Sequence, residues 1–200
     1  MKAPIKIRER FSWKAREKEI LAFAAKIFAE KGYDRATLQQ IADAVGMKKG
    51  SLYYYISSKE DLLFQITDSM IDYWIKEQEK MLKAAISPEE KLRQAMKTHV
   101  NLLAGDFERL CVFLHEYKSL TPAWREKIIA KRNEYEDLFY QIIEEGIKTG
   151  AFRPLDVKVV TLAIMGMGNW LYQWYSPAGR LSIGQIDQVF YDLVMQGLKK

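Results

Sequence analysis

The sequence predicts an all-α protein of about nine helices, and three observations support this fold class. Apolar residues recur at helical spacing along most of the chain. Capping signals, in which a Ser or Thr precedes the apolar pattern, mark one helix start after another. No convincing strand, internal repeat or low-complexity tract interrupts this pattern. With 200 residues, of which 48% are hydrophobic, the chain is long enough to bury the core of one or two domains.

The first sixty residues predict three helices. Helix one covers about residues 14–31, and Gly32 provides its stop signal. A capping box at Thr37-Leu-Gln-Gln40 opens a short second helix, which ends at Gly46. A third short helix is predicted over about residues 48–55. Two short helices joined by a glycine-containing turn are typical of a helix-turn-helix.

The later helices also begin at capping signals or follow turns. A box at Ser57-Ser-Lys-Glu60 opens a helix of about 25 residues, a second begins at Ser87-Pro88, and a long charged helix begins at Thr121-Pro122. After the long charged helix, turns that contain glycine and proline separate two more predicted helices, over about residues 156–175 and 182–198.

Charge is distributed unevenly along the chain. Residues 1–60 carry a net charge of +6, whereas residues 61–200 carry −1. A basic segment is most often a solvated face, but on an otherwise balanced chain it also fits a polyanionic partner such as nucleic acid. The chain has one cysteine, no membrane-length apolar run and no signal-peptide pattern. We therefore expect a cytoplasmic protein with no membrane partner.

The stretch GMKKGSLYYYISSKE, residues 46–60, places two lysines and a glycine before three consecutive tyrosines. If Leu52 points into the core, Gly50 and Tyr54 project outward at about 100° per residue. Such a face suits DNA, because lysines neutralise phosphates, tyrosine hydroxyls reach phosphates or bases, and glycine permits close approach. The alternative is that the tyrosines pack on neighbouring helices and the lysines are merely solvated.

The same residues carry a family resemblance. The pattern Thr37-x3-Ile41-Ala42-x3-Gly46-x3-Gly50-x2-Tyr53-Tyr54-Tyr55-Ile56-x2-Lys59-x2-Leu62 resembles the DNA-binding signature of the tetracycline-repressor (TetR) family of bacterial transcriptional regulators. It departs from that signature at Ile56, where Phe is frequent. The resemblance implies that the following residues lie at the DNA: Thr37, Lys48, Lys49, Gly50, Ser51, Tyr53, Tyr54 and Lys59.

The resemblance also implies two domains with different functions. Residues 10–57 would form the helix-turn-helix domain, and residues 58–200 would form a ligand-binding and dimerisation domain. The last two long helices would pair with those of a second copy, giving a homodimer that binds a palindromic double-stranded DNA operator. Packing of those helices within the chain's own core is the alternative. No cofactor is implied.

The stretch NWLYQWYSPAGRLS, residues 169–182, resembles segments of TetR-family members that regulate fatty-acid and acyl-coenzyme A metabolism. It implies a small hydrophobic effector, with an acyl-coenzyme A suspected, although aromatic residues at helical spacing are more often core. The alternative function is a TetR-like repressor of an efflux pump that responds to lipophilic drugs. The candidate effector-binding residues are Phe113, Tyr117, Trp124, Met167, Trp170 and Trp174.

Other classes of protein have weaker support. The two histidines lie on different predicted helices without metal-ligand partners, so no metal site is expected. No catalytic motif or complete nucleotide-binding fingerprint is present. An enzyme and a helical adaptor that binds protein through the basic face remain the rival hypotheses, and binding to DNA that weakens steeply with salt would exclude the adaptor.

Overall fold

The computed structural model describes the backbone of residues 4–199 and the side chains of residues 13–199. Within that range the chain forms ten α-helices, a 3-10 turn at Glu116–Ser119 and no strand, so the all-α prediction is confirmed. The helices are α1 (Pro4–Lys31), α2 (Leu38–Ala44), α3 (Lys49–Leu52), α4 (Lys59–Leu82), α5 (Pro88–Gly105), α6 (Phe107–His115), α7 (Pro122–Thr149), α8 (Val157–Asn169), α9 (Leu171–Trp174) and α10 (Ile183–Leu198).

The described residues group into two compact units. The first contains the chain up to Met70 together with Glu108–Glu126, and the second contains Ile71–Phe107 and the chain from Lys127 onward. The unit boundaries therefore fall inside α4, after the first residue of α6, and inside α7. The predicted division into residues 10–57 and 58–200 remains a prediction. Lys200, the last residue of the second predicted domain, lies outside the described residues. None of the described helices is both long and apolar enough to cross a membrane.

The first unit packs the apolar faces of α1 to α4 around one core. Its fully buried side chains include Phe28 of α1, Ile41 of α2 and Leu52 of α3. The stretch that contains α6 and the start of α7 joins this unit through two specific contacts. The ring of Trp124 stacks on that of Phe64, and the Thr121 amide donates a hydrogen bond to the Glu60 carboxylate.

The second unit is organised around α5, which contacts α8, α9 and α10. Two ion pairs anchor the first half of α5 to different neighbouring helices. The Lys91 ammonium binds both carboxylate oxygens of Glu145 at 2.9 Å, and the Arg93 guanidinium lies 3.3 Å from the buried carboxylate of Asp187. These pairs fix α5 relative to α7 and α10.

The structure differs from the predicted helix boundaries in four places. Helix α3, predicted to reach about residue 55, ends at Leu52. Helix α1 begins ten residues earlier than predicted, although the side chains of its first nine residues lie outside the described set. The cap of α4 is Ser58, whose hydroxyl accepts from the Asp61 amide, because the helix begins at Lys59 and shifts the predicted box by one residue. The predicted helix over 156–175 divides at Trp170 into α8 and α9.

Candidate DNA-binding surface and effector site

Helix α2 is held at both ends by local sequence. Thr37 caps its start, since the threonine hydroxyl accepts from the Gln40 amide and the Gln40 side chain accepts from the Thr37 amide, which completes the predicted capping box. Gly46 closes its end with φ of +64°, a conformation that favours glycine, and the next amide, of Met47, bonds back to Ala42. The chain is thereby turned sharply from α2 into α3.

Helix α1 braces the same turn. The Arg16 guanidinium donates a 2.6 Å hydrogen bond to the carbonyl of Val45, at the end of α2, and pairs with Glu19 on its own helix. This contact satisfies a helix-end carbonyl with a positive charge, which the negative end of the helix dipole favours. Arg16 therefore stabilises the turn between α2 and α3, a role that no local sequence signal indicates.

The three consecutive tyrosines have different environments. Leu52 and Ile56 are buried, as helical spacing predicts, and the segment between them forms a turn instead of a continued helix. Tyr54 is 76% exposed and Tyr53 52%, whereas Tyr55 stacks on Trp13 of α1 with ring centroids 4.2 Å apart. The row of tyrosines thus divides into two solvent-facing rings and one that anchors α3 to α1.

The surface around these tyrosines is basic and open. Lys48 and Lys49 lie at the start of α3, and Lys49 is exposed, while the Lys48 side chain does not cap the helix. Gly50 has no described atom within 4 Å of the place where a Cβ would stand, and Ser51 is half-buried. We call the set formed by Lys48, Lys49, Gly50, Ser51, Tyr53 and Tyr54 the recognition surface. It can offer cations to phosphates and aromatic hydroxyls to base edges.

Two of the residues predicted at the DNA have intramolecular partners. Thr37 is exposed but its hydroxyl caps α2. The Lys59 ammonium donates to three backbone carbonyls of the α1–α2 turn, those of Tyr33 (2.9 Å), Asp34 (3.3 Å) and Ala36 (3.1 Å). It also lies 4.2 Å from the centroid of the Tyr33 ring. The partly buried Lys59 side chain is therefore directed toward the α1–α2 turn.

The six candidate effector-binding residues fall in both units. Phe113, which is buried, Tyr117, on the 3-10 turn, and Trp124, stacked on Phe64, belong to the first. The other three belong to the second unit: Met167, Trp170 and Trp174. The candidates are therefore divided between the two units and do not form one cluster within either of them.

The two candidate tryptophans of the second unit, Trp170 and Trp174, are largely solvent-exposed in the isolated chain. Trp170 is 60% and Trp174 50% exposed, and the indole of Trp170 meets the Tyr172 ring edge-on at 6.2 Å. Trp174 lines a surface cleft of about 190 Å³ with Arg180 and Ile186. This cleft is smaller than typical small-molecule sites of about 300–1,000 Å³, so it does not hold a large effector in this conformation.

A buried polar relay lies in the second unit. The Gln78 amide group donates to the carbonyl of Ala95 (2.9 Å) and to the Tyr135 hydroxyl oxygen (3.2 Å), and the Tyr135 hydroxyl lies 2.9 Å from Nδ1 of His99. The Tyr135 oxygen accepts from Gln78, and its proton can be donated to Nδ1 when the imidazole carries its own proton on Nε2. In the sequence His99 is a lone histidine without metal-ligand partners, and no local signal indicates this relay.

Burial sets the protonation of the relay. It lowers the pKa of His99 to about 4, with the nearby carbonyl of Met165 opposing the shift, and it raises the pKa of Tyr135. Both groups are therefore neutral at pH 7. No three His, Cys, Asp or Glu side chains within residues 13–199 form a group that could hold a metal ion.

Helices α8 and α10 carry apolar side chains on the surface of the isolated chain. Val159 and Leu162 of α8 are 64% and 47% exposed, and Val189 and Leu193 of α10 are 50% and 58% exposed. Small residues of α8, among them Gly166, also lie on the exposed side. The pair on α8 is three residues apart and the pair on α10 four, so each pair shares one helix face, and an exposed apolar face is typical of a protein–protein contact.

A capped α2, a sharp glycine turn and a short α3 that presents basic and aromatic groups define a helix-turn-helix DNA-binding regulator. Family comparison agrees. Residues 20–66 match the bacterial regulatory proteins of the tetR family, and residues 85–198 match the tetracyclin repressor-like C-terminal domain. The chain belongs to the TetR family of transcriptional regulators, which confirms the predicted family. Members of this family are DNA-binding proteins and not enzymes, so the prediction of a regulator instead of an enzyme is confirmed as well.

Individual relatives extend over nearly the whole chain. The HTH-type transcriptional repressor KstR2 of Mycolicibacterium smegmatis is 30% identical over 92% of this chain and 91% of its own length. The fatty acid metabolism regulator protein of Bacillus subtilis is also 30% identical, over 90% of this chain and 94% of its own.

Solved structures show the same fold. The TetR-family regulator PfmR from Thermus thermophilus superimposes with a TM-score of 0.84 at 34% identity, covering 90% of this chain and 99% of its own. The regulator AibR, in complex with isovaleryl coenzyme A and operator DNA, gives a TM-score of 0.82 at 31% identity and covers 89% and 97% of the two chains.

Proposed function

We propose that this regulator represses transcription by binding a palindromic operator as a homodimer, and that a hydrophobic small molecule releases it. The observation that carries the DNA-binding half is the recognition surface, in which lysines and exposed tyrosines stand on a buried scaffold anchored by Leu52 and Ile56. Such a surface would neutralise phosphates with Lys48 and Lys49 and read base edges with the two exposed tyrosines. Thr37, at the start of α2, would lie beside the DNA backbone.

The homodimer rests on the exposed apolar residues of α8 and α10. Leaving side chains such as Val159 and Leu193 in water is unfavourable, and pairing with the same surface of a second copy would bury them. A twofold dimer presents two recognition surfaces. Its operator should then be an inverted repeat whose half-sites lie about 34 Å apart, or somewhat more, so that both surfaces meet successive major grooves.

For the effector, an acyl-coenzyme A is the candidate that the relatives favour. One relative is named as a fatty acid metabolism regulator, and AibR is described with isovaleryl coenzyme A. The candidate contacts to the acyl chain are the aromatic and apolar residues predicted from the sequence, taken unit by unit: Phe113, Tyr117 and Trp124 in the first, and Met167, Trp170 and Trp174 in the second. The exposure of the two tryptophans indicates that they would act only after a rearrangement or in the dimer.

Release would follow from linkage between the two binding events. An effector that binds better to a conformer unable to reach both half-sites must lower DNA affinity by the same factor by which DNA lowers effector affinity. Couplings of about 1–3 kcal/mol, or about 5- to 150-fold, are usual for allosteric proteins.

The test has two parts. An operator is first selected from a random duplex library with the wild-type protein, and footprinting on it should reveal a symmetric inverted repeat. Calorimetry with acyl-coenzyme A thioesters of increasing chain length should then find a ligand that lowers affinity for that duplex. Protection of one asymmetric half-site would contradict the dimer, and release by lipophilic drugs but by no thioester would favour the efflux-type repressor.

A further inference from the structure

We infer that Lys59 is a positioning residue, whose ammonium fixes the α1–α2 turn for DNA binding and does not itself neutralise a phosphate. This inference rests on the proposed DNA-binding function. The family resemblance implies that Lys59 contacts the operator. We infer instead that Lys59 supports the turn that positions the DNA-binding helices.

The geometry of the ammonium group is the first argument. A lysine ammonium has three N–H donors, and the structure offers Lys59 three carbonyl acceptors, on Tyr33, Asp34 and Ala36, at 2.9, 3.3 and 3.1 Å. The Tyr33 ring lies under the same nitrogen at 4.2 Å and adds a cation–π contact. No donor remains for a phosphate oxygen while these bonds hold.

The acceptors are carbonyls that the helices leave without helical partners. Gly32 ends α1 with φ of +80°, so the peptide groups that follow turn away from the helix axis. Within the turn, the Ala36 amide bonds back to the carbonyls of Gly32 and Tyr33. The Lys59 ammonium donates to three carbonyls of the turn, and these bonds replace hydrogen bonds that the carbonyls would otherwise make to water. They thereby fix the conformation of the turn.

The turn leads directly to the recognition surface. The carbonyl of Ala36 belongs to the same peptide group as the amide of Thr37, which takes part in the capping box that starts α2. Since Lys59 is the first residue of α4, its side chain ties the start of α4 to the start of α2. Without it, we expect α2, and α3 behind it, to adopt several orientations relative to α4.

Lys49 provides the matched control. It is exposed on the recognition surface, and among the described residues its side chain has no hydrogen bond or ion pair. If Lys49 contacts a phosphate, Lys49→Met should lower the slope of log K against log salt concentration by about one unit. Lys59→Met, which removes charge and hydrogen bonds but keeps most of the length of the side chain, should leave that slope unchanged.

The experiment measures both variants and the wild type on two duplexes across a salt series, at a temperature where circular dichroism shows every protein folded. One duplex is selected from a random library by the wild type, and the other is an unrelated duplex of equal length. We expect Lys59→Met to bind the selected duplex about tenfold more weakly at every salt concentration, the cost of one lost charge-assisted anchor. Its melting temperature should also fall.

A second control separates positioning from loss of stability. Ile66→Val removes one methyl group from the core of the same unit, far from the α1–α2 turn in sequence. It should lower the melting temperature without changing affinity for either duplex. A Lys59→Met protein that behaves like Ile66→Val, or that loses a full unit of salt slope as Lys49→Met does, would overturn the inference.

NMR of the lysine ammonium groups in wild-type protein tests the same inference without a substitution. The ammonium protons of Lys59 should exchange slowly with water in the free protein, and their resonance should keep its position when the selected duplex is added. Fast exchange in the free protein, or a large shift on DNA addition, would contradict a bracing role. If the wild type binds no duplex, the proposed function fails, yet the exchange rate still decides whether Lys59 holds the turn.

Discussion

Tyr54 and Tyr55 are adjacent in the chain and have opposite surroundings. Helix α3 ends at Leu52, and the following turn directs Tyr54 into solvent and Tyr55 onto the indole of Trp13. Stacked aromatic pairs contribute about 0.5–1.5 kcal/mol beyond their buried area. The two tyrosines therefore offer a test that separates recognition from folding at neighbouring positions.

We predict that Tyr54→Ala keeps the wild-type melting temperature but binds the operator less tightly and with altered base preference. Loss of one base-reading side chain costs about 1–3 kcal/mol of discrimination. Tyr55→Ala should instead lower the melting temperature, because the Trp13 ring loses its partner. Selection from a random duplex library and thermal unfolding measure the two effects. A Tyr54→Ala protein that selects the wild-type sequence would exclude Tyr54 from base recognition.

His99 links protonation to the stability of the second unit. Its pKa is lowered to about 4 in the folded chain from an ordinary value of 6.5. Above pH 6.5 both the folded and unfolded states are neutral at this residue. Below it the unfolded chain takes up the proton first, so the free energy of unfolding falls as the pH decreases toward 4.

From this shift we expect the free energy of unfolding to decrease by about 2 kcal/mol between pH 7 and pH 5 on account of His99. Urea unfolding of the wild type and of His99→Gln at both pH values measures the effect. Other groups titrate in both proteins, so the difference between their pH dependences isolates the histidine. Parallel pH profiles would show that His99 is not buried in its neutral form.

Sequence alone could place several of these side chains and not others. The sequence predicts the burial of Leu52 and the outward direction of Tyr54 from a helical period, and both hold, although the chain reaches Tyr54 and Ile56 through a turn after Leu52. The sequence does not predict the partners of Lys59, because they are backbone carbonyls more than twenty residues away that become available only when the turn after Gly32 is formed. Whether the recognition surface contacts DNA stays a prediction.

At the scale of elements, the packing of α8 against α5 depends on one glycine. A Cβ added at Gly168 would stand 2.5 Å from Cδ2 and 2.6 Å from Nε2 of the His99 ring. That ring cannot easily move aside, because its other nitrogen is hydrogen bonded to Tyr135. The absence of a side chain at position 168 therefore allows α8 to lie close to α5.

Gly168→Ala should accordingly destabilise the protein by about 1–3 kcal/mol, the usual cost of overpacking a core. Gly184→Ala is the matched control, since no described atom lies within 4 Å of a Cβ at Gly184 in α10 and alanine favours a helix. It should leave stability unchanged or raise it slightly. Chemical denaturation of both variants measures the difference. Equal stability of the two would mean that α8 can withdraw from α5 at little cost.

Helix starts that carry a capping signal were more predictable from sequence than the start of α1 or the helix interruptions. Thr37, Ser87 and Ser182 cap helices where their side-chain chemistry predicts. The division between α8 and α9 had no such local signal, since apolar residues continue through Trp170 at helical spacing. There the Trp170 amide bonds to the carbonyls of Gly166 and Gly168, and two low-propensity glycines weaken the preceding turn.

For the whole molecule, dimerisation is the property that the exposed faces of α8 and α10 predict. Leu193→Glu would place a charge in the middle of the apolar surface of α10, where a second copy would have to bury it without a partner. We expect this variant to be monomeric in sedimentation velocity experiments and to bind an inverted repeat much more weakly than the wild type.

Tyr73→Glu is the control for that experiment. Tyr73 is similarly exposed, at 54%, but lies on α4, outside the proposed dimer surface. It should sediment as the wild type does. If Leu193→Glu also remains a dimer, the interface must be formed by other helices.

The first compact unit is assembled from two separate stretches of the chain, and this limits how its DNA specificity can be exchanged with that of another regulator. A chimaera that received only the first seventy residues would lack the Trp124 ring that stacks on Phe64 and the Thr121 amide that Glu60 binds. The transplanted segment would expose a surface that Glu108–Glu126 normally covers. Recombination at a single crossover is thus poorly suited to this architecture. New specificity is more readily obtained by grafting the few exposed side chains of residues 48–54 onto an otherwise unchanged chain.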